Sequence, residues 1–247
     1  MQVSGFAVSN LSKEFSHYQG VRTLSDWLQS ENIPGIYGID TRALTKHIRD
    51  APATVIGKIV VGNTDVPFQD PTHRNMTAEV STKDIRVFTP PDGKFDVHIV
   101  AVDLGIKSNI IRNLVRRGAR VTLVPWDYDL SKSKLSYDGL FYSNGIFPLN
   151  LLNCSHHHAG PGDPALIDKT ITSLSWALEQ NKPIFGICMG NQALAQASGA
   201  KTYKMPYGNR GQNIPVRNLE NDRCYVTPQV CNVLCGDFFL GYGGGGG

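Results

Sequence analysis

Pro183-Ile184-Phe185-Gly186-Ile187-Cys188-Met189-Gly190-Asn191-Gln192 decides how the chain is read. A short apolar run ends in Gly-x-Cys-x-Gly, and a helix-forming run over Ala193 to Ala197 follows at once. The pattern predicts a buried strand, a tight elbow and a helix. Glycines on both sides of Cys188 let the backbone turn with no Cβ in the way. The elbow lifts the sulfur to the top of a sheet, at a helix N-terminus, where negative charge is favoured. This is the logic of the Gly-x-Ser-x-Gly nucleophile elbow, with sulfur in place of oxygen. The N–H of Met189 would face a developing oxyanion. A buried structural cysteine between two packing glycines fits the local motif equally well, so the surroundings have to decide.

Upstream, from Val97, strands and helices alternate. His98 to Asp103 reads as a buried strand. Lys107 to Arg117 reads as a helix with Ile110, Ile111, Leu114 and Val115 on its inner face, ended by Gly118. Arg120 to Pro125 and Tyr137 to Tyr142 are further strands, and Pro164 to Gln180 a long helix. That alternation predicts a doubly wound, mostly parallel α/β sheet. Such sheets bind ligands at the carboxyl ends of their strands, where Cys188 falls. A dinucleotide site is disfavoured. Asp127 is placed as a ribose-binding acid would be, but Asp103-Leu104-Gly105-Ile106-Lys107-Ser108 lacks Gly-x-Gly-x-x-Gly.

Residues 1–88 predict a smaller α+β domain. Thr23 to Gln29 reads as a short helix with Ser25 or Thr23 as its cap, and Asp40 as the N-cap of an amphipathic helix running to Arg49. Val55 to Val61 is strand-like, and Thr89-Pro90-Pro91-Asp92-Gly93 opens an expected linker over 89–96.

Composition excludes several classes. The 247 residues carry a net charge of only +3, with no basic patch for nucleic acid. No apolar run approaches membrane-spanning length. The opening Met1-Gln2-Val3-Ser4-Gly5-Phe6 has neither a signal peptide nor an Arg-rich transit segment. Five irregularly spaced cysteines argue against a disulfide framework and for a reducing compartment.

Specific motifs now bear on identity. Phe15-Ser16-His17-Tyr18 and Gly35-Ile36-Tyr37-Gly38-Ile39-Asp40-Thr41-Arg42-Ala43-Leu44-Thr45 resemble the small-chain domain of carbamoyl-phosphate synthetase. Phe185 to Gln192 resembles the nucleophile motif of the class I glutamine amidotransferase domain that follows it. Gly199 to Met205 and Gly208 to Asn213 continue the match, and Asn144-Gly145 and Gly160-Pro161-Gly162-Asp163-Pro164 resemble two parts of the family's oxyanion loop. The Glu79 to Asp84 run and Lys201-Thr202-Tyr203-Lys204-Met205 are most similar to the animal mitochondrial, urea-linked type.

The resemblance implies a mechanism and roles. Cys188 would attack the side-chain carbonyl of glutamine, release ammonia and leave a thioester for water to cleave. Met189 and Gly160 would supply the oxyanion N–H groups, and Gly160, Gly162, Met189 and Gln192 would contact the glutamine. The implied partner is a large synthetase subunit or fused synthetase domains, which use the ATP; no cofactor or metal is implied in this region. The implied location is the mitochondrial matrix, with the cytoplasm as the alternative. A rival from another class is a non-catalytic scaffold for an ammonia-using synthetase.

The chain also departs from the family. The expected amidotransferase domain, 97–229, is interrupted by an insert over 146–159, and 230–247 reads as an unmatched tail. A Ser that contacts glutamine has no counterpart, nor has the His-Pro-Glu run carrying the base and its orienting carboxylate. The resemblance therefore implies a chain with the nucleophile but without its base. His98 and His156 to His158 do not stand at matching positions, and Cys154, His156, His157 and His158 with Cys231 and Cys235 fit no standard zinc spacing. Gly145-Ile146, Ala159-Gly160 and Gln229-Val230 can each encode a splice-site dinucleotide. The two foreign segments accordingly read as retained introns, with 146–159 expected to be irregular and 236–247 extended.

Overall fold

The computed structural model describes residues 3–51, 55–63, 65–68, 74–145, 167–200 and 202–235. The chain divides into two compact units, Met1–Asp70 with Asn150–Ser155, and Pro71–Leu149 with His156–Gly247.

In the first unit, β1 (Phe6–Ala7) pairs in parallel with β2 (Gly35–Ile36). Helix α1 (Leu24–Ser30) opens on a capping box. Thr23 accepts from the Asp26 N–H, and the Asp26 carboxylate accepts in turn from the Thr23 N–H. Helix α2 (Thr41–Asp50) is capped by Asp40, whose side chain accepts from the Ala43 N–H. The Asp40 cap falls where the sequence places it, and of the two candidates Ser25 and Thr23 it is Thr23 that caps α1. The strand expected at Val55 to Val61 does not form: residues 55–61 run without a ladder partner, so their β-branched side chains lack the neighbour that makes such a run a strand.

The second unit is built on a five-stranded sheet. Helix α3 (Met76–Val80) precedes β3 (Arg86–Phe88), followed by β4 (Val97–Asp103), α4 (Ser108–Arg116), β5 (Ala119–Pro125) and β6 (Gly139–Tyr142). Helix α5 (Asp168–Glu179), β7 (Ile184–Gly186) and α6 (Met189–Ala197) complete it. The strand order is β3-β5-β4-β6-β7, with β3 antiparallel and the rest parallel. The α/β sheet expected from the sequence is therefore present. The expected division at 88 differs from the observed one. Strand β3 pairs with β5, so it belongs to the second unit, and 89–96 joins two strands of one sheet instead of two domains. A turn closed by Gly93 N–H donating to Pro90 O makes that connection.

Strand alternation feeds two apolar layers. On one face Ala101, Val121, Leu123 and Phe141 pack with Ile111 of α4. On the other, Val100, Val102, Val124, Leu140 and Tyr142 pack with Leu174 and Ala177 of α5 and with Met189 and Ala193 of α6. Side chains two apart share a face, so strands buried on both sides read as unbroken apolar runs.

A long hairpin follows α6. Strand β8 (Thr202–Arg217) pairs antiparallel with β9 (Cys224–Cys235), with register shifts between Lys204 and Asn209 and between Gly211 and Ile214. The backbone of 230–235, placed in an unmatched tail from sequence, is paired in this hairpin. The expectations for 146–159 and 236–247 lie outside the described residues.

Candidate active site

The elbow forms, but the strained residue is not a glycine. Cys188 caps α6 with φ 55° and ψ −108°, a region where a side chain is rarely found. Neither Gly186 nor Gly190 has a positive φ. Their role is close approach. A Cβ on Gly186 would stand 2.5 Å from the carbonyl carbon of Gly190, and one on Gly190 would stand 2.2 Å from the Tyr142 oxygen. The glycines let strand, elbow and helix interlock, and the interlock forces Cys188 into its conformation. Strain of about 1–3 kcal/mol persists only where the surroundings over-determine it.

Those surroundings are explicit. The Ile187 N–H donates to Tyr142 O at 3.0 Å, and the Gly190 N–H donates to Ser143 O at 3.1 Å and to Ile187 O at 3.0 Å. The Gln192 N–H donates to Cys188 O at 3.0 Å, opening the helix. Cys188 itself is half-buried. Among the described residues nothing accepts from the Met189 N–H, the first of the orphan donors at the N-terminus of α6.

Of the residues singled out from sequence, Cys188, Met189 and Gln192 come together at this helix start; Met189 is 0% and Gln192 2% exposed. Gly160 and Gly162 lie outside the described residues. Gly145, at the end of the β6 segment, lies against Met189: a Cβ there would be 2.8 Å from Met189 Cε and 2.9 Å from its Cβ. Sequence reading passed over Ser143, which is 0% exposed and tied to both β4 and α6. Its signal was available, as the polar residue ending an apolar strand at the edge where ligands bind.

Farther from the sulfur, the Asp103 carboxylate at the end of β4 accepts from the N–H groups of Thr82, Gly105 and Ile106. Burial pushes the Tyr142 phenol above its usual range, and Tyr137 adds to the rise. His98 lies at the opposite end of β4, its Nε2 2.7 Å from Thr122 Oγ1 and its N–H on the Asp138 carboxylate. Among the described residues of this unit it is the one histidine. Within the same residues, no three His, Cys, Asp or Glu side chains gather to hold a metal, and no helix is long and apolar enough to cross a membrane.

The geometry is that of a half-buried cysteine at a strand–helix elbow, next to a Met189 N–H for which the described residues offer no acceptor. Residues 100–150 and 158–236, more than half of the chain, match the family model of glutamine amidotransferase class-I. The chain belongs to the class-I glutamine amidotransferase family. Residues 1–59 match the carbamoyl-phosphate synthase small chain, CPSase domain. In the amidotransferase match the break lies inside the expected insert, and the match runs beyond Gln229, past the end expected from sequence. The chain is 45% identical over 93% of its length to "Carbamoyl-phosphate synthase [ammonia], mitochondrial" of Aquarana catesbeiana. It is 42% identical over 93% to "Multifunctional protein CAD" of Squalus acanthias, and 39% identical over 93% to the "Carbamoyl phosphate synthase arginine-specific small chain" of Neurospora crassa. It spans 14%, 10% and 48% of those proteins respectively. This class-I amidotransferase thus carries the amidotransferase domain of the carbamoyl-phosphate synthase small chain.

Proposed function

We propose that the chain is the glutaminase part of a carbamoyl-phosphate synthase, with glutamine as substrate and Cys188 as nucleophile, and that for want of a positioned acid–base it turns glutamine over only negligibly itself. The observation that carries this reading is the backbone of Cys188, held at φ 55° on the strand–helix elbow. The thiolate attacks the side-chain carbonyl carbon of glutamine; a C–S bond forms and the oxygen takes up negative charge. The C–N bond then breaks, ammonia leaves with an added proton, and water cleaves the thioester to glutamate. Met189 supplies one N–H to the oxyanion. Gly160 as second donor, and Gly162 and Gln192 as glutamine contacts, are part of the same proposal. The ammonia passes to a large subunit or fused synthetase domains, where ATP is consumed. The mitochondrial matrix is the proposed site of action, with the cytoplasm as the alternative.

The test is a glutamine analogue with a diazoketone in place of the carboxamide. Selective, stoichiometric labelling of Cys188 that excess glutamine slows is the expected result. Labelling indifferent to glutamine would sink the reading.

One observation favours the second reading, a scaffold domain that supports a synthetase without hydrolysing glutamine. The leaving amine needs a proton, and among the described residues of this unit the single histidine is at the wrong end of β4. Labelling of Cys188 without turnover separates retained binding from retained catalysis.

A further inference from the structure

Ser143 makes four backbone-directed hydrogen bonds from a fully buried position. Its N–H donates to Val102 O at 3.2 Å, and its carbonyl accepts from the Gly190 N–H at 3.1 Å. Its hydroxyl oxygen accepts from the Leu104 N–H at 2.9 Å, and its hydroxyl proton goes to the Asn144 carbonyl oxygen at 2.8 Å. A hydroxyl has one proton to give, so this donor is committed to Asn144. The Asn144 side chain adds a second anchor, donating from Nδ2 to Gly105 O at 3.0 Å.

The carbonyl that Ser143 holds belongs to the Asn144–Gly145 peptide. A trans peptide is planar, so fixing its oxygen fixes the Gly145 N–H on the opposite side of the bond. That N–H has no acceptor among the described residues, nor has the Met189 N–H, and Gly145 is packed against Met189. Among the described residues, then, two residues packed against each other at the start of α6 each carry an N–H with no acceptor.

We infer that Ser143 is a positioning residue for acyl transfer at Cys188. Its hydroxyl locks the Asn144–Gly145 peptide in one orientation, leaving the Gly145 N–H to join the donors already proposed, Met189 and Gly160, in stabilising an oxyanion. This rests on the reading of Cys188 as an acyl-accepting nucleophile. Without the Ser143 hydroxyl the peptide is free to turn over and present its oxygen, which would repel that charge.

Two reactions of the same thiol separate the roles. With p-nitrophenyl acetate, sulfur bonds to the carbonyl carbon, an oxyanion forms, and the C–O bond breaks to release p-nitrophenolate. With iodoacetamide, sulfur displaces iodide at a methylene carbon and no oxyanion arises. The full chain is used, and the Cys188-dependent rate is the difference from Cys188→Ser. Ser143→Ala is expected to lose about tenfold or more in acylation, while alkylation stays within about twofold. Ser143→Thr, which keeps the hydroxyl, is expected to retain acylation. If Ser143→Ala does not fold, Ser143→Cys, of similar shape with a weaker donor, is read in its place. Undiminished acylation in the folded variant overturns the inference alone. An equal loss in both reactions shows a merely structural hydroxyl and overturns it too. No Cys188-dependent release of p-nitrophenolate in the unaltered chain removes the nucleophile reading itself, and the inference with it.

Discussion

A Cβ on Gly190 would stand 2.2 Å from the carbonyl oxygen of Tyr142, so α6 meets β6 at a separation only glycine permits. The obstructing atom is backbone and cannot swing aside. Gly190→Ala is therefore expected to cost about 3 kcal/mol, the upper end for overpacking. Gly57→Ala, where a Cβ meets nothing within 4 Å, is the control and should stay within about 0.5 kcal/mol. Urea unfolding of both variants checks this; equal midpoints would show that α6 does not depend on the close approach.

Tyr142 is 0% exposed and its hydroxyl finds no hydrogen-bond partner among the described residues. Removing a buried polar group that has no partner is neutral or stabilising, so Tyr142→Phe should gain up to about 1 kcal/mol. The pH dependence has a definite sign. The phenol is raised in the folded state by burial, with Tyr137 adding to the rise. Its contribution is complete below the unfolded tyrosine value near ~10 and is lost as pH climbs above that. The Phe variant should resist alkaline unfolding better than the unaltered chain. A thermal scan series across that range decides.

Cys188 caps a nine-residue helix, whereas Cys224 is exposed at the start of β9. Exposure alone would favour Cys224. The helix terminus stabilises the thiolate, the reactive form, and should reverse the order. Brief treatment with limiting iodoacetamide followed by mass mapping is expected to find Cys188 labelled first. Labelling in order of exposure, on a folded sample, would count against an activated thiol.

Glutamine turnover by this chain should be very low. A positioned acid–base is worth roughly 10²–10⁴-fold in rate, and the described residues place none beside the sulfur. Glutamate release is expected to match that of Cys188→Ser. Robust release that the substitution abolishes would reveal another group acting as the base.

Much of this was readable from the residues, for reasons that differ by element. The caps at Thr23 and Asp40 are local, since side chain and acceptor positions lie within one turn. Strands β4 and β5 carry their burial as unbroken apolar runs. Strand β3 could not be found that way: its three residues gain their place only by pairing with β5. The hairpin of β8 and β9 mixes Gly, Pro and Asn into long strands with two register shifts, so period-2 alternation is lost. At the elbow the residue types identified the turn but not who bears the strain. That depends on how near β6 stands to α6, which no local pattern encodes.

The partners that hold Cys188 in its conformation, Tyr142 at the end of β6 and Ser143 just after it, are laid down long before it in the chain. An unfavourable backbone angle cannot outlast the loss of the packing that imposes it. The elbow must therefore be among the late events of assembly, because it waits for β6, β7 and α6 to dock in non-local register. A pulse of alkylating reagent during refolding turns the sulfur into a clock for that docking. Its reactivity should rise with the closing of the sheet, not with the earlier formation of helices.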